Sequence, residues 1–397
     1  MNQLDLGDLR FTEGGHLLVK RAIGKLNIGK EIVICGQDPD LEVHLEAWAR
    51  IEGHRIKTST ESNRFKLCRG AAEFKRWQGA KQTGDPDPFK PESIAETASQ
   101  SWGLAARGAV IEDGTPEFNF QLTKKSQVWA DEAVRLYAQA VSAQWDPNTA
   151  IPWNTKFELQ TEVEDAVVQL MTYLIENEAA ALIVPSRFVA QLHPHFREVM
   201  QLLAIQAADE ARHVEVFTRR ALLKRDKLGI STVGGQASLK TLVDEPDFAI
   251  ASFLLSVMGE GTFLTLLRFL EHHAPDPVTQ TMTRLAANDE ARHVAFGVAH
   301  LKESVKHDPH LLDRLNQSVH RRHDALQHIV GLNQEVMDTL TLITAGGWSH
   351  QALRKGSQQV TKLIQDMDSG RRNQLLRLGF SKEQAATLSE LHTKNFM

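Results

Sequence analysis

The sequence predicts a mostly α-helical protein, a helical bundle of two antiparallel hairpins preceded by a small α/β domain and followed by two further helices. Three observations carry this. The segment Asp209-Glu210-Ala211-Arg212-His213 returns as Asp289-Glu290-Ala291-Arg292-His293. Each copy follows a lone glutamate set in an apolar stripe, Glu178 before the first and Glu260 before the second. A proline stands midway in each interval, Pro194 between Glu178 and Glu210 and Pro275 between Glu260 and Glu290.

Each copy contains Glu-x-x-His. Three positions on a helix turn through about 300°, so the carboxylate and the imidazole emerge on one face. If each proline marks a hairpin turn, roughly 22 to 24 Å of helix runs to the turn and the same length returns, at about 1.5 Å per residue. The lone glutamate and its Glu-x-x-His then meet at one level. Glu178 shares its face with Met171, Leu174, Ile175 and Leu182, and Glu260 with Phe253, Val257, Phe263, Leu264 and Leu267. A bare carboxylate buried there costs several kcal/mol, so acids in this register call for cations. Four carboxylates and two neutral imidazoles balance two divalent ions, and a mixed oxygen and nitrogen donor set suits iron or manganese. The expected metal ligands are Glu178, Glu210, His213, Glu260, Glu290 and His293. Glu176 is the rival of Glu178; it lies with Thr172, Tyr173 and Ala180 on a more polar face, which favours Glu178.

This arrangement, over roughly residues 120 to 340, resembles the ferritin-like di-iron carboxylate superfamily, whose signature is Glu plus Glu-x-x-His in each of two hairpins. The resemblance implies that Asp289 orients His213 and Asp209 orients His293. The alternative for these two acids, surface ion pairs with Arg212 and Arg292, stays open. It further implies two iron ions or a manganese/iron pair, and an O2-dependent oxidoreductase of oxygenase or hydroxylase type acting on a small organic substrate with an external electron donor. Ferritin cages are built from shorter, bundle-sized chains, and rubrerythrin-type iron sites need four cysteines where this chain has two. A ribonucleotide-reductase small subunit of the usual kind carries a tyrosine one turn after the first motif, where this chain has Phe217. Phe217 and Phe296 would suit an apolar wall, although core packing is the more frequent role. The competing class is a non-enzymatic metal-binding protein whose ions brace the bundle.

Composition narrows the partners. A net charge of −5 and a pI near 6.4 give no electrostatic reason to expect nucleic acid or an anionic membrane. Two cysteines make neither a disulfide framework nor a metal-spaced pair, and a reducing cytoplasm is the expected location. No run of eighteen apolar residues and no secretory leader pattern is read. A homodimer is the assembly that a long bundle with an apolar flank often forms.

In chain order, residues 3–70 read as an α/β domain. Leu17 to Leu26 and Asp40 to Glu52 are helical in pattern, and Glu31 to Gly36, His54 to Thr58 and Arg64 to Cys68 are strands. The order, with "GKEIVICGQDPD" and "NRFKLCRG", resembles a TusA-type sulfur-carrier domain. Where that family places its sulfur-bearing Cys-Pro, this chain has Phe11-Thr12, followed by Glu13-Gly14-Gly15. Persulfide chemistry needs a thiolate, so the resemblance implies a degenerate docking or oligomerisation module, with a sulfur-carrier partner or a carrier-bound substrate. Residues 71–120 read as linker, most plainly at Asp85 to Pro91 with its three prolines. The bundle is expected over 121–345, with an amphipathic helix from Ser126 to Trp145, Trp145 and Trp153 as core anchors, and a kink or break at Pro185. Gly229 to Pro246 reads as the crossover between hairpins. One helix is expected from about His310 to Ile343, then two shorter ones within 346–397, the last with a Ser381/Gln384 capping box.

Overall fold

In the computed structural model, residues 3–58, 63–72, 76–90, 92–328 and 334–392 are described. The chain divides into two units, Met1–Thr83 with Gly108–Pro116 and Gly84–Arg107 with Glu117–Met397.

The first unit holds a four-stranded sheet of β1 (Gln3–Asp5), β2 (Glu31–Cys35), β3 (Arg55–Thr58) and β4 (Arg64–Cys68), in the order β1-β2-β4-β3. β1 runs parallel to β2 and the remaining pairs are antiparallel. Helices α1 (Gly15–Gly24) and α2 (Leu41–Ile51) bury Val19, Ile23, Leu41 and Leu45 with Ile32, Ile34, Phe65 and Leu67. The alternation Ile32, Ile34 and Phe65, Leu67 is the period of two that a half-buried strand requires. β1 escapes a reading by pattern, because three residues are too few to show a period. Cys35 and Cys68 are unpaired, and Cys35 Sγ accepts from Gln3 Nε2 at 3.2 Å. Part of the stretch read as linker is ordered here, as β5 (Lys81–Gln82) paired with β6 (Val110–Ile111).

In the second unit the remainder of that linker is also tied down. The buried Arg107 guanidinium donates to the Asp85 carbonyl at 3.1 Å and to Glu198 Oε2 at 2.7 Å; Pro91, in the same expected linker, lies outside the described residues. The single helix expected from Ser126 to Trp145 is two, α3 (Lys125–Val128) and α4 (Ala133–Ser142). Trp129 turns extended between them, and its Nε1 donates to Asp131 Oδ1 at 2.8 Å.

The first hairpin pairs α5 (Thr161–Val189) with α6 (Arg197–Ala221), and a one-turn helix opened by Pro194 makes the bend. α5 runs through Pro185 to Val189 without the expected break. Between the hairpins, the stretch read as crossover holds α7 (Val233–Val243), which starts on the Thr232 hydroxyl accepting from Gly235 N–H at 3.0 Å. Then come α8 (Phe248–Ser252), a π-helical stretch over Phe253–Gly259, and α9 (Glu260–His273). α10 (Pro277–His307) returns, with Asp276 Oδ1 capping Thr279 N–H at 2.8 Å. α5 and the Phe248–His273 helix are apolar enough to span a membrane by length and composition, but most of that surface is buried inside the bundle. Near the hairpin ends, Arg220 is fully buried and donates to Glu164 Oε1 at 2.6 Å and Asp276 Oδ2 at 2.8 Å, tying three helices.

Beyond the hairpins the expected His310 to Ile343 helix is two helices, α11 (Leu311–Leu326) and α12 (Gln334–Ala345); residues 329–333 lie outside the described residues. α13 (His350–Leu378) has 29 residues and is not short. α14 (Lys382–His392) starts on the expected capping box, with Ser381 N–H donating to Gln384 Oε1 at 3.0 Å and Gln384 N–H to Ser381 Oγ at 3.1 Å.

Candidate metal centre

Four helices deliver the acids and imidazoles. Glu178 comes from the middle of α5, Glu210 and His213 from α6, Glu260 from the first residue of α9, and Glu290 and His293 from α10. All six are at most 3 % exposed. They form two groups, Glu178 with Glu210, His213 and Glu290, and Glu260 with Glu210, Glu290 and His293. Within each group the potential donor atoms lie within 4.8 Å of one another, and Glu210 and Glu290 belong to both. The geometry of these two is distinctive, since each turns one oxygen toward each imidazole. Glu210 Oε2 is 3.2 Å from His213 Nδ1 and its Oε1 is 2.9 Å from His293 Nδ1. Glu290 places Oε1 3.5 Å from His213 Nδ1 and Oε2 3.4 Å from His293 Nδ1. Glu178 Oε1 is 3.5 Å from His213 Nδ1. Glu176 is half-buried and belongs to neither group.

The outer ring nitrogens are engaged across the hairpins. His213 Nε2 donates to Asp289 Oδ2 at 3.2 Å, and His293 Nε2 to Asp209 Oδ2 at 3.3 Å. A neutral ring that keeps its proton on Nε2 would present the lone pair of Nδ1 inward. The same two aspartates also pair with arginines, Asp209 with Arg212 at 2.6 Å, and Asp289 with both Arg212 at 3.0 Å and Arg292. Each aspartate thus meets an imidazole of the opposite hairpin and an arginine at once, and the aspartate side chains are buried instead of lying at the surface as the ion-pair reading expected. Gln144 Nε2 donates to Asp209 Oδ1 at 2.8 Å, and Trp145 Nε1 to Asp289 Oδ2 at 2.8 Å. Trp145, expected as a core anchor, is a half-buried hydrogen-bond donor to this assembly.

Burial and the neighbouring Glu210 and Glu290 charges push the Glu178 carboxyl well above the usual carboxylate range. Burial and Glu290 do the same to Glu260. For Glu210 burial pulls upward too, but the adjacent imidazoles of His293 and His213 outweigh it and hold it low. Burial opposes charge on His213 and His293, and the surrounding carboxylates overcome it and raise both.

Glu178 Oε1, Glu210 Oε1, Glu260 Oε2 and both oxygens of Glu290 are buried without a hydrogen-bond partner among the described residues. Orphaned acid oxygens in one buried volume carry a penalty of several kcal/mol that divalent cations relieve. The residues present thus fit a dinuclear metal site.

Sequence reasoning passed over Gln206 and Gln144, and read Trp145 only as a core anchor. Gln206 is buried and its Nε2 donates to Glu260 Oε1 at 3.0 Å; a polar residue one turn before Glu210 on the same face was the available signal. Phe217 is fully buried with its ring centroid 6.2 Å from that of His213. Phe296 instead stacks on His300 at 5.9 Å.

No protein-family model matches the chain, and no curated protein does. Among solved structures the chain is similar to an R2-like ligand-binding oxidase variant with an anaerobically reconstituted Mn/Fe cofactor, at 20 % identity and a TM-score of 0.47, over 62 % of this chain and 94 % of that one. It is also similar to an R2-like ligand-binding oxidase from Sulfolobus acidocaldarius, at 16 % identity and a TM-score of 0.41, over 64 % of this chain and 93 % of that one.

Proposed function

We propose that Glu178, Glu210, His213, Glu260, Glu290 and His293 hold two iron ions, or a manganese/iron pair, and that the protein is an O2-dependent oxidoreductase acting on a small organic substrate with electrons from an external donor. The observation that carries this reading is the sharing of Glu210 and Glu290 between two buried acid and imidazole groups. A donor set of oxygens and imidazole nitrogens without thiolate suits these metals. Bound there, a ferrous pair supplies the two electrons that reduce dioxygen, one from each ion.

The chain's own residues do the rest. Glu210 and Glu290 offer an oxygen to either side, and Glu178 and Glu260 close the two ends. Asp209 and Asp289 fix the imidazole planes and keep the proton on Nε2. Arg212 and Arg292 neutralise those aspartates, which leaves the four glutamate charges to be matched by the metals. Buried Leu174 and Phe217 help exclude water.

For the first unit we propose docking, of a partner protein or a carrier-bound substrate, in place of sulfur transfer. The support is the absence of cysteine at Phe11-Thr12 and the placement of both cysteines in strands. A reducing compartment agrees with their unpaired state.

Metal analysis of freshly purified protein together with oxygen uptake after reduction tests the main reading. Two irons per chain and O2 consumption are expected, with loss of metal in Glu178→Ala. Full retention of metal by that variant removes the ligand assignment. Two bound irons without oxygen uptake would leave ions that only brace the bundle.

A further inference from the structure

The two halves of the centre match in sequence but not in surroundings. Gln206 stands one turn before Glu210, and Ala286 one turn before Glu290. Gln206 is 3 % exposed, and its amide engages Oε1 of Glu260 at 3.0 Å, leaving Oε2 of Glu260 without a partner. Ala286, fully buried, offers only a methyl group at the corresponding place, and Oε1 of Glu178 has no hydrogen-bond partner.

A second comparison repeats the contrast. One turn before the lone glutamates stand Leu174 and Ser256, and two turns after the paired ones stand Phe217 and Gly297. The first hairpin fills these positions with two buried apolar side chains. The second fills them with a hydroxyl and a glycine packed so closely that a Cβ on Gly297 would lie 2.3 Å from Ser256 Cβ.

A carboxylate binds a cation through one oxygen or both. An amide hydrogen-bonded to one oxygen favours binding through the other and fixes the plane of the group, as outer partners of metal ligands commonly do. Resting on the dinuclear reading above, we infer that Gln206 makes the two metal positions unequal: it holds Oε1 of Glu260 and turns Oε2 to the metal, a constraint that Ala286, with no amide, cannot place on Glu178. Gln206 acts through Glu260 and is a positioning residue.

The test is anaerobic titration of the full-length apoprotein with isotopically enriched Fe(II), read by equilibrium binding and Mössbauer spectroscopy. The wild type is expected to take two ions giving two resolved quadrupole doublets. Gln206→Met, which keeps the volume and removes the donor, is expected to weaken binding of one ion about 10–100-fold and to shift its doublet alone. Circular dichroism and the melting temperature control for folding; Gln206→Asn, one methylene too short to reach, is the second variant. A single doublet in the wild type overturns the inference while leaving the dinuclear reading intact. So does a folded variant in which both doublets stay or both move. Absence of bound iron in the wild type overturns the dinuclear reading, and the inference with it.

Discussion

His213 Nε2 on α6 is hydrogen-bonded to Asp289 Oδ2 on α10, 3.2 Å away, so the imidazole of one hairpin meets a carboxylate of the other. Asp289→Asn keeps the shape and removes the charge. It is expected to weaken metal binding about 10–100-fold, as other losses of such outer partners do. Anaerobic Fe(II) titration measures this; an unchanged isotherm would remove Asp289 from the assembly.

Metal removal is the second prediction. Ions that bind the folded chain alone stabilise it by about 4 kcal/mol per site at a thousandfold excess over Kd. Calorimetric scans of chelator-treated protein, with and without added Fe(II) under argon, should show a clearly higher melting temperature with the metal. Superimposable scans would mean that the buried acids are balanced in some other way.

Arg220 holds the hairpin ends through Glu164 and Asp276. Arg220→Met leaves two buried carboxylates without their cation and is expected to cost about 3–5 kcal/mol in urea denaturation. Adding Glu164→Gln to that variant should recover part of the loss.

Gly297→Ala would bring a methyl group to 2.3 Å from Ser256 Cβ. Overpacking of this kind costs about 1–3 kcal/mol. Phe217, at the corresponding place in the first hairpin, predicts the opposite sensitivity there: truncation to Ala opens a cavity and costs about 3–5 kcal/mol.

His300 is fully buried and its Nε2 donates to the Gln127 carbonyl at 2.7 Å. Burial lowers its pKa from 6.5 to about 4. The unfolded chain therefore takes up a proton near pH 6.5 that the folded chain refuses until about pH 4. Stability falls as pH drops through that window, by on the order of 3 kcal/mol, and this residue's slope fades out above about pH 7.5. His300→Gln should flatten the stability curve between those limits relative to wild type, and a parallel curve would count against the assignment.

The repeat was legible because a carboxylate and an imidazole share one helix face only at a fixed spacing, and the turn prolines announce themselves chemically. Breaks inside helical patterns were not. Trp129 leaves the helix to satisfy its indole on Asp131, and α7 is capped by a threonine in a glycine-bearing stretch that looks like a loop. Trp145 and Gln144 could not be read as partners of Asp289 and Asp209, because those bonds join residues far apart in the chain. Gln206, by contrast, was available from a comparison of the two copies position by position, where a buried amide in one stands against a methyl group in the other.

The π-helical stretch at Phe253–Gly259 ends where Glu260 begins. Its wider turn resets the rotational phase of the helix, so the part before it can obey the packing around Phe248 while the part after it obeys the centre. One residue of an ordinary helix is worth about 100° of rotation. Deleting a single residue from this segment would therefore swing either the glutamate or the upstream apolar face out of place, and the loop-free junction behaves as the adjusting screw between two separately aligned halves of one rod.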